Sequence, residues 1–294
     1  MLDTLCWYAT TLLLWSAYWG WLCLLLCAGR LRKAPRLLGM AALVCALRQG
    51  IAVLPPWYAW AHLLGLASRV ARINALYQPL DWAQVACWLL LLLSSKEVLS
   101  LLLLGGVVYG LKWVTPAEVG LRGPRPGTGP LVGLVVAAVA TGVVLGAYFT
   151  RQAAPARQLP EQLFIAVLPG LAEELFYRGV LLGLLSRVFV RRLPLPGTHT
   201  SWGGVVGVVL FALAHGLKLE AYQMEHLLAS NLHVSLQGWY HWRPLWHSSA
   251  ADQLYYLAMG TLLLWARERT GSVWAAVGAH CLLNTAVLLR GSLG

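Results

Sequence analysis

Acidic residues are scarce in this 294-residue chain: Asp and Glu together number 11, against 22 Lys and Arg. Charged residues make up 11% of the sequence and hydrophobic ones 59%, whereas soluble globular proteins carry about 25% charged residues. That shortage excludes an ordinary cytosolic enzyme, and so apolar a chain would not stay solvated as a disordered one. Nucleic-acid binding is excluded as well, because no basic cluster is interleaved with exposed aromatics despite the net charge of +11. A mean hydropathy of +0.66 and long Leu/Val/Ala runs predict instead an all-α fold, a polytopic membrane bundle of about eight helices.

Other absences narrow the chemistry. The only aspartates are Asp3, Asp81 and Asp252, none in the middle of an apolar run, which excludes an intramembrane aspartyl dyad. No HExxH helix and no GxSxG elbow occurs, so the usual zinc-protease and serine-hydrolase signatures are missing. Cys6, Cys23, Cys27, Cys45, Cys87 and Cys281 form no CxxC pair and read as small buried apolar residues. The start, Met1-Leu2-Asp3, lacks a basic n-region, so Leu5 to Ala28 is expected to be a first spanning helix and not a cleaved signal.

The expected spans are 5–28, 37–54, 83–112, 130–150, 161–188, 202–217, 251–267 and 272–290. The third carries Ser94, Ser95, Lys96 and Glu97 near its centre and reads as one tilted helix or a broken one. Residues 57–78 read as an interfacial amphipathic segment with Arg69 and Arg72 on its polar face. Lys and Arg concentrate in the loops that lie inside when the N-terminus is outside, giving an integral, multi-pass protein of the cell (inner) membrane. The Pro- and Gly-rich loop 115–130 separates residues 1–114, with almost no candidate chemistry, from 115–294, with nearly all of it. An insertion, 218–250, holds His226, His233, His241 and His247 among interfacial aromatics; no two of these histidines have a metal-site spacing on one helical face.

Three polar groups stand out in the second half. The first is Glu173-Glu174 followed by Arg178 in an apolar helix, where unpaired charges cost several kcal/mol. Glu174 and Arg178, four apart, can form an ion pair. Glu173, rotated about 100° from Glu174, stays free to face a cavity as a general base toward water. The second is Phe211 with His215, the third His280 with Asn284. His280 and Asn284 again project from one face, as two oxyanion donors or as an interhelical contact. The contrasting class is non-enzymatic, a transport pathway or a binding site for a partner membrane protein in an immunity or scaffold role, but the two halves show no internal repeat and no matching broken helices.

These motifs, EExxxR, FxxxH and HxxxN in that order, resemble those of the CAAX protease and bacteriocin-processing family of intramembrane glutamic endopeptidases, which includes the type II CAAX prenyl endopeptidases. The runs 118–122 (EVGLR) and 267–274 (RERTGSVW) are similar to that family too, so the likeness spans roughly residues 115–290. It implies that Glu173 and His215 activate water for attack on a peptide carbonyl and that His280 and Asn284 stabilise the oxyanion. Glu174, Arg178 and Phe211 are then supporting residues. No cofactor is implied; the alternative is a zinc ion held by Glu173, His215 and His280. The expected partners are the lipid bilayer and a membrane-anchored or lipidated protein substrate, processed in the CAAX, bacteriocin or C-terminal sorting manner. The insertion 218–250 is longer than expected of the family core.

Overall fold

The computed structural model describes residues 2–52, 95–150, 159–219, 244–246 and 248–290. The amphipathic segment 57–78, the start of the third expected span and most of the insertion, with His226, His233, His241 and His247, lie outside them. The described chain is mainly helical. Helix α1 (Leu2–Leu26) and α2 (Pro35–Ala52) pack on each other, joined through a short 3-10 turn (Ala28–Arg30). Their seam is closed by Trp19, Cys23, Cys27, Leu38, Ala41 and Cys45, all buried. The three cysteines there are free thiols, as expected of small apolar residues.

Helix α3 (Lys96–Gly105) runs into a π turn (Gly106–Gly110). Ser95 has extended backbone and its hydroxyl accepts the Val98 N–H at 3.3 Å, an N-cap that satisfies one orphan donor of the first turn. Ser95 therefore opens a helix, inside the third expected span; residues 83–94 of that span lie outside the described residues. A short α4 (Pro116–Val119) follows, then α5 (Gly129–Thr150), α6 (Leu159–Glu174), a second π turn (Leu175–Leu181) and α7 (Leu182–Ser186). Helix α8 (Trp202–Gly216), α9 (Ala250–Thr270) and α10 (Val273–Arg290) complete the bundle. Helix α10 packs against α5, α6 and α9, and α9 packs against α8.

Two small antiparallel ladders interrupt the helical architecture. β1 (Leu193–Leu195) pairs with β2 (Thr198–Thr200), with Leu193 opposite Thr200. β3 (Leu217–Leu219) pairs with β4 (Pro244–Trp246), with Leu217 opposite Trp246. The second ladder joins the two ends of the insertion immediately after α8, so the chain leaves and re-enters the bundle beside His215.

Among the described residues, no helix is long and apolar enough to cross a membrane. Helix α6 is interrupted by Pro169 and ends on two glutamates, and α9 carries Asp252, Arg267, Glu268 and Arg269.

The runs 118–122 and 267–273 form one knot at an end of the bundle. Thr115 and Glu118 close a capping box around α4, with Pro116 at its first position, and Gly120 ends it at φ +81°. A side chain at Gly120 would be strained by that φ and would also collide with the Arg267 guanidinium. Arg267 is buried and donates to the carbonyls of Glu118 at 3.1 Å and Arg178 at 3.2 Å. The Val273 N–H reaches the Gly120 carbonyl at 3.0 Å. These residues are scaffold: they fix the start of α10 and the π turn relative to each other.

Glu118 also accepts two hydrogen bonds from Arg187, at 2.7 and 2.6 Å. The Arg187 guanidinium holds its carboxyl at about 2, below the usual carboxylate value of about 4.3. A carboxyl whose folded value is depressed stabilises the fold above its unfolded value, and that contribution is lost as pH falls toward the folded one. The deficit of Arg187→Gln relative to wild type is thus expected in full at neutral pH. It should shrink to nothing as pH falls from about 4 toward 2, in thermal unfolding of detergent-solubilised protein. Both side chains are about one-third exposed, so salt should weaken the effect; a deficit unchanged across that window would contradict it.

Candidate active site

The central element is α6 with its π turn. A π turn inside an α-helix is uncommon and marks functional positions more often than chance; here it begins immediately after Glu174. Glu174 is fully buried, and its Oε1 accepts from Arg178 Nη1 at 2.9 Å. This is the pairing that the four-residue spacing predicts. The same oxygen accepts from His280 Nδ1, also at 2.9 Å, which the sequence did not predict. Arg178 sends its second Nη to the Gly260 carbonyl at 2.8 Å. Gly260 leaves room for both groups: a Cβ there would stand 3.2 Å from Arg178 Nη2 and from the Phe211 ring, and one of them would have to shift by a few tenths of an ångström.

Glu173 lies one residue earlier and faces the other way. Its Oε2 is 3.8 Å from His215 Nε2, and no hydrogen-bond partner for that oxygen occurs among the described residues. His215 Nδ1 sits 2.9 Å from the Phe211 carbonyl. A carbonyl only accepts, so Nδ1 carries a proton and Nε2 is the ring nitrogen that faces Glu173. The side chains of Glu173 and His215 are 19% and 28% exposed, against 0% for Glu174 and 1% for Arg178. The site thus has two layers: a partly exposed carboxylate–imidazole pair, whose Glu173 Oε2 is itself shielded from solvent, over a fully buried ionic one.

Phe211 joins the layers. Its ring lies 4.4 Å from His215 and 6.0 Å from His280 between centroids, and the Arg178 guanidinium lies 4.5 Å from its centre. Such a contact stabilises a cation taken out of water. Asn284 Nδ2 donates to the Ile165 carbonyl of α6 at 3.2 Å. One of its two N–H groups is thereby committed to a backbone acceptor.

Sequence reasoning missed three neighbours. Tyr256 on α9 lies 4.5 Å from the His215 ring. Gln49 on α2 donates to the Tyr177 hydroxyl at 3.1 Å, and the Arg48 guanidinium is 5.9 Å from the Phe176 ring centre. Arg48 and Gln49 are both buried, so the first half of the chain buttresses the π turn and is not devoid of site residues. Their signal was available, an Arg-Gln pair inside an apolar run, but its partners lie about 128 positions away. Glu97, unexplained in the sequence, is buried at the start of α3 with Lys96 Nζ at 3.8 Å.

Among the described residues, no group of three His, Cys, Asp or Glu is placed to hold a metal ion. Glu173, His215 and His280 do not form such a set, and His280 Nδ1 is taken by Glu174.

Residues 155–286 match a family model described as Type II CAAX prenyl endopeptidase Rce1-like. The match covers all three motifs and the 267–274 run, and begins after the 118–122 run. Neither a curated protein nor a solved structure matches the chain.

Proposed function

We propose that this chain, which carries a type II CAAX prenyl endopeptidase Rce1-like domain at residues 155–286, is an intramembrane endopeptidase that cleaves a membrane-anchored, lipidated protein. The observation that carries the reading is the facing pair of Glu173 Oε2 and His215 Nε2, 3.8 Å apart. That gap is too long for a direct hydrogen bond and suits one water donating a proton to each acceptor.

In this reading Glu173 removes a proton from the water as the water oxygen bonds to the peptide carbonyl carbon. His215, oriented by its bond to Phe211, holds the second proton of that water. The oxyanion forms against His280 Nε2 and the uncommitted N–H of Asn284. His280 donates at Nε2 only as an imidazolium, because its Nδ1 proton already bonds Glu174. In that form the charges of Glu173, Glu174, Arg178 and His280 sum to zero, which suits a site out of water. The proton held by Glu173 then passes to the leaving nitrogen, the C–N bond breaks, and a carboxylic acid and an amine are released. No step in this reading is routed through a metal; zinc held by Glu173, His215 and His280 stays the alternative.

A bilayer setting is supported by the outward faces. Leu14, Trp21, Leu134, Leu163 and Leu254 stand on five different positions of α1, α5, α6 and α9, and all are exposed. A large apolar exterior around a charged, buried centre suits lipid better than water. We place the N-terminus outside on the distribution of Lys and Arg.

The test is cleavage of a quenched fluorogenic, farnesylated peptide of CAAX type by membranes containing the chain. Prenyl-dependent cleavage that survives a chelator supports the reading. Loss on chelation with recovery on adding zinc replaces the glutamic mechanism by a metal-dependent one. No cleavage of any prenylated peptide by folded protein overturns the substrate class.

A further inference from the structure

Pro169 sits inside α6, four residues before Glu173. A proline has no N–H, and its ring pushes on the carbonyl four residues earlier. In α6 that carbonyl belongs to Ile165, which loses its helical donor and must find another if it is shielded from water. The donor present is Asn284 Nδ2 of α10, at 3.2 Å. Around this bond the two helices touch closely. A Cβ at Gly170 would stand 3.1 Å from Cys281 Sγ and 3.4 Å from His280 Cβ, and the Cys281 thiol reaches the Val167 carbonyl at 3.6 Å.

We propose that Asn284 is a positioning residue: its amide replaces the N–H that Pro169 removes from α6 and so sets the α6–α10 register that brings His280 onto Glu174. Asn284 and His280 are one helical turn apart on α10, so a bond at Ile165 fixes the height and rotation of the imidazole. Arg267 of α9 acts on the same helix in parallel, bonding the Arg178 carbonyl at 3.2 Å within the π turn. The catalytic helix is thus irregular at two points, and a side chain from a neighbouring helix takes a backbone carbonyl at each. This proposal rests on the peptidase reading for its kinetic consequence and is independent of it for its structural one.

A double-mutant cycle tests it, using the full chain in detergent as wild type, Asn284→Ala, Pro169→Ala and the double variant. Thermal midpoint, kcat and KM are read on the fluorogenic farnesylated peptide. Pro169→Ala restores a backbone N–H for the Ile165 carbonyl, so Asn284 loses its positioning task and keeps only its oxyanion contact. With Pro169 in place, Asn284→Ala should lower the midpoint by several degrees and kcat by roughly 100-fold, with KM little changed. In the Pro169→Ala background the same substitution should cost much less in midpoint, and its kcat loss should shrink to the part owed to the missing oxyanion donor. A double variant that folds where Asn284→Ala alone does not is the same result in stronger form. Equal, additive losses of kcat and midpoint in both backgrounds would overturn the proposal and leave Asn284 as an oxyanion donor alone. If no variant, wild type included, cleaves the peptide, the peptidase reading fails while the midpoints still decide whether Asn284 pins α6.

Discussion

Glu173→Gln is expected to lower kcat by about 10²–10⁴-fold while the protein stays folded. The substitution keeps the shape of the side chain and removes only its capacity to take a proton. Glu173 Oε2 has no hydrogen-bond partner among the described residues, so no internal bond is lost and the thermal midpoint should not move. His215→Ala should reduce kcat comparably, because the water then loses one of the two acceptors facing it across 3.8 Å. The measurement is turnover of the farnesylated peptide beside a melting curve for each variant. Full activity in Glu173→Gln would remove the glutamic mechanism; lost activity with a collapsed midpoint would make Glu173 structural.

Arg178→Leu is expected to have the largest effect on stability, about 3–5 kcal/mol. Its guanidinium holds Glu174 Oε1, the Gly260 carbonyl and the Phe211 face, all from a position 1% exposed. Removing it leaves Glu174 buried with His280 as its one remaining charged partner among the described residues, and strands the Gly260 carbonyl. Changing both members, Glu174→Leu with Arg178→Leu, should cost less than Arg178→Leu alone, because no uncompensated charge is left inside. Thermal unfolding in detergent reads this directly. A single variant as stable as wild type would mean that the pair is hydrated and not the buried layer described above.

The ionic pair and the water-activating pair differ in how far the sequence could reach them. Glu174 and Arg178 are four apart, and helical periodicity alone put them together. The same spacing put His280 and Asn284 on one face, but not what that face meets. His280 turned out to bond Glu174 and Asn284 to bond α6, because each partner lies more than 100 residues away. The first half read as empty of chemistry for the same reason: Arg48 and Gln49 acquire meaning only against Phe176 and Tyr177. The zinc alternative needed three donors to converge, a distance question no spacing answers.

By itself the sequence determined the apolar, helical character of the chain, the segments that α1, α2, α5, α8, α9 and α10 follow, and the motifs that lie within the stretch 155–286 matched by the Rce1-like family model. These are properties of composition and of short-range periodicity, which every turn of helix repeats. Only the tertiary structure decided that Ser95 starts a helix, that Pro169 frees a carbonyl for Asn284, and that Glu173 faces His215 while Glu174 is buried. Hydrogen bonding explains the division. A helix satisfies its own backbone, so its pattern is legible locally; where a proline, a π turn or a buried carboxylate breaks that self-sufficiency, the missing partner comes from another helix, and only the fold brings it near.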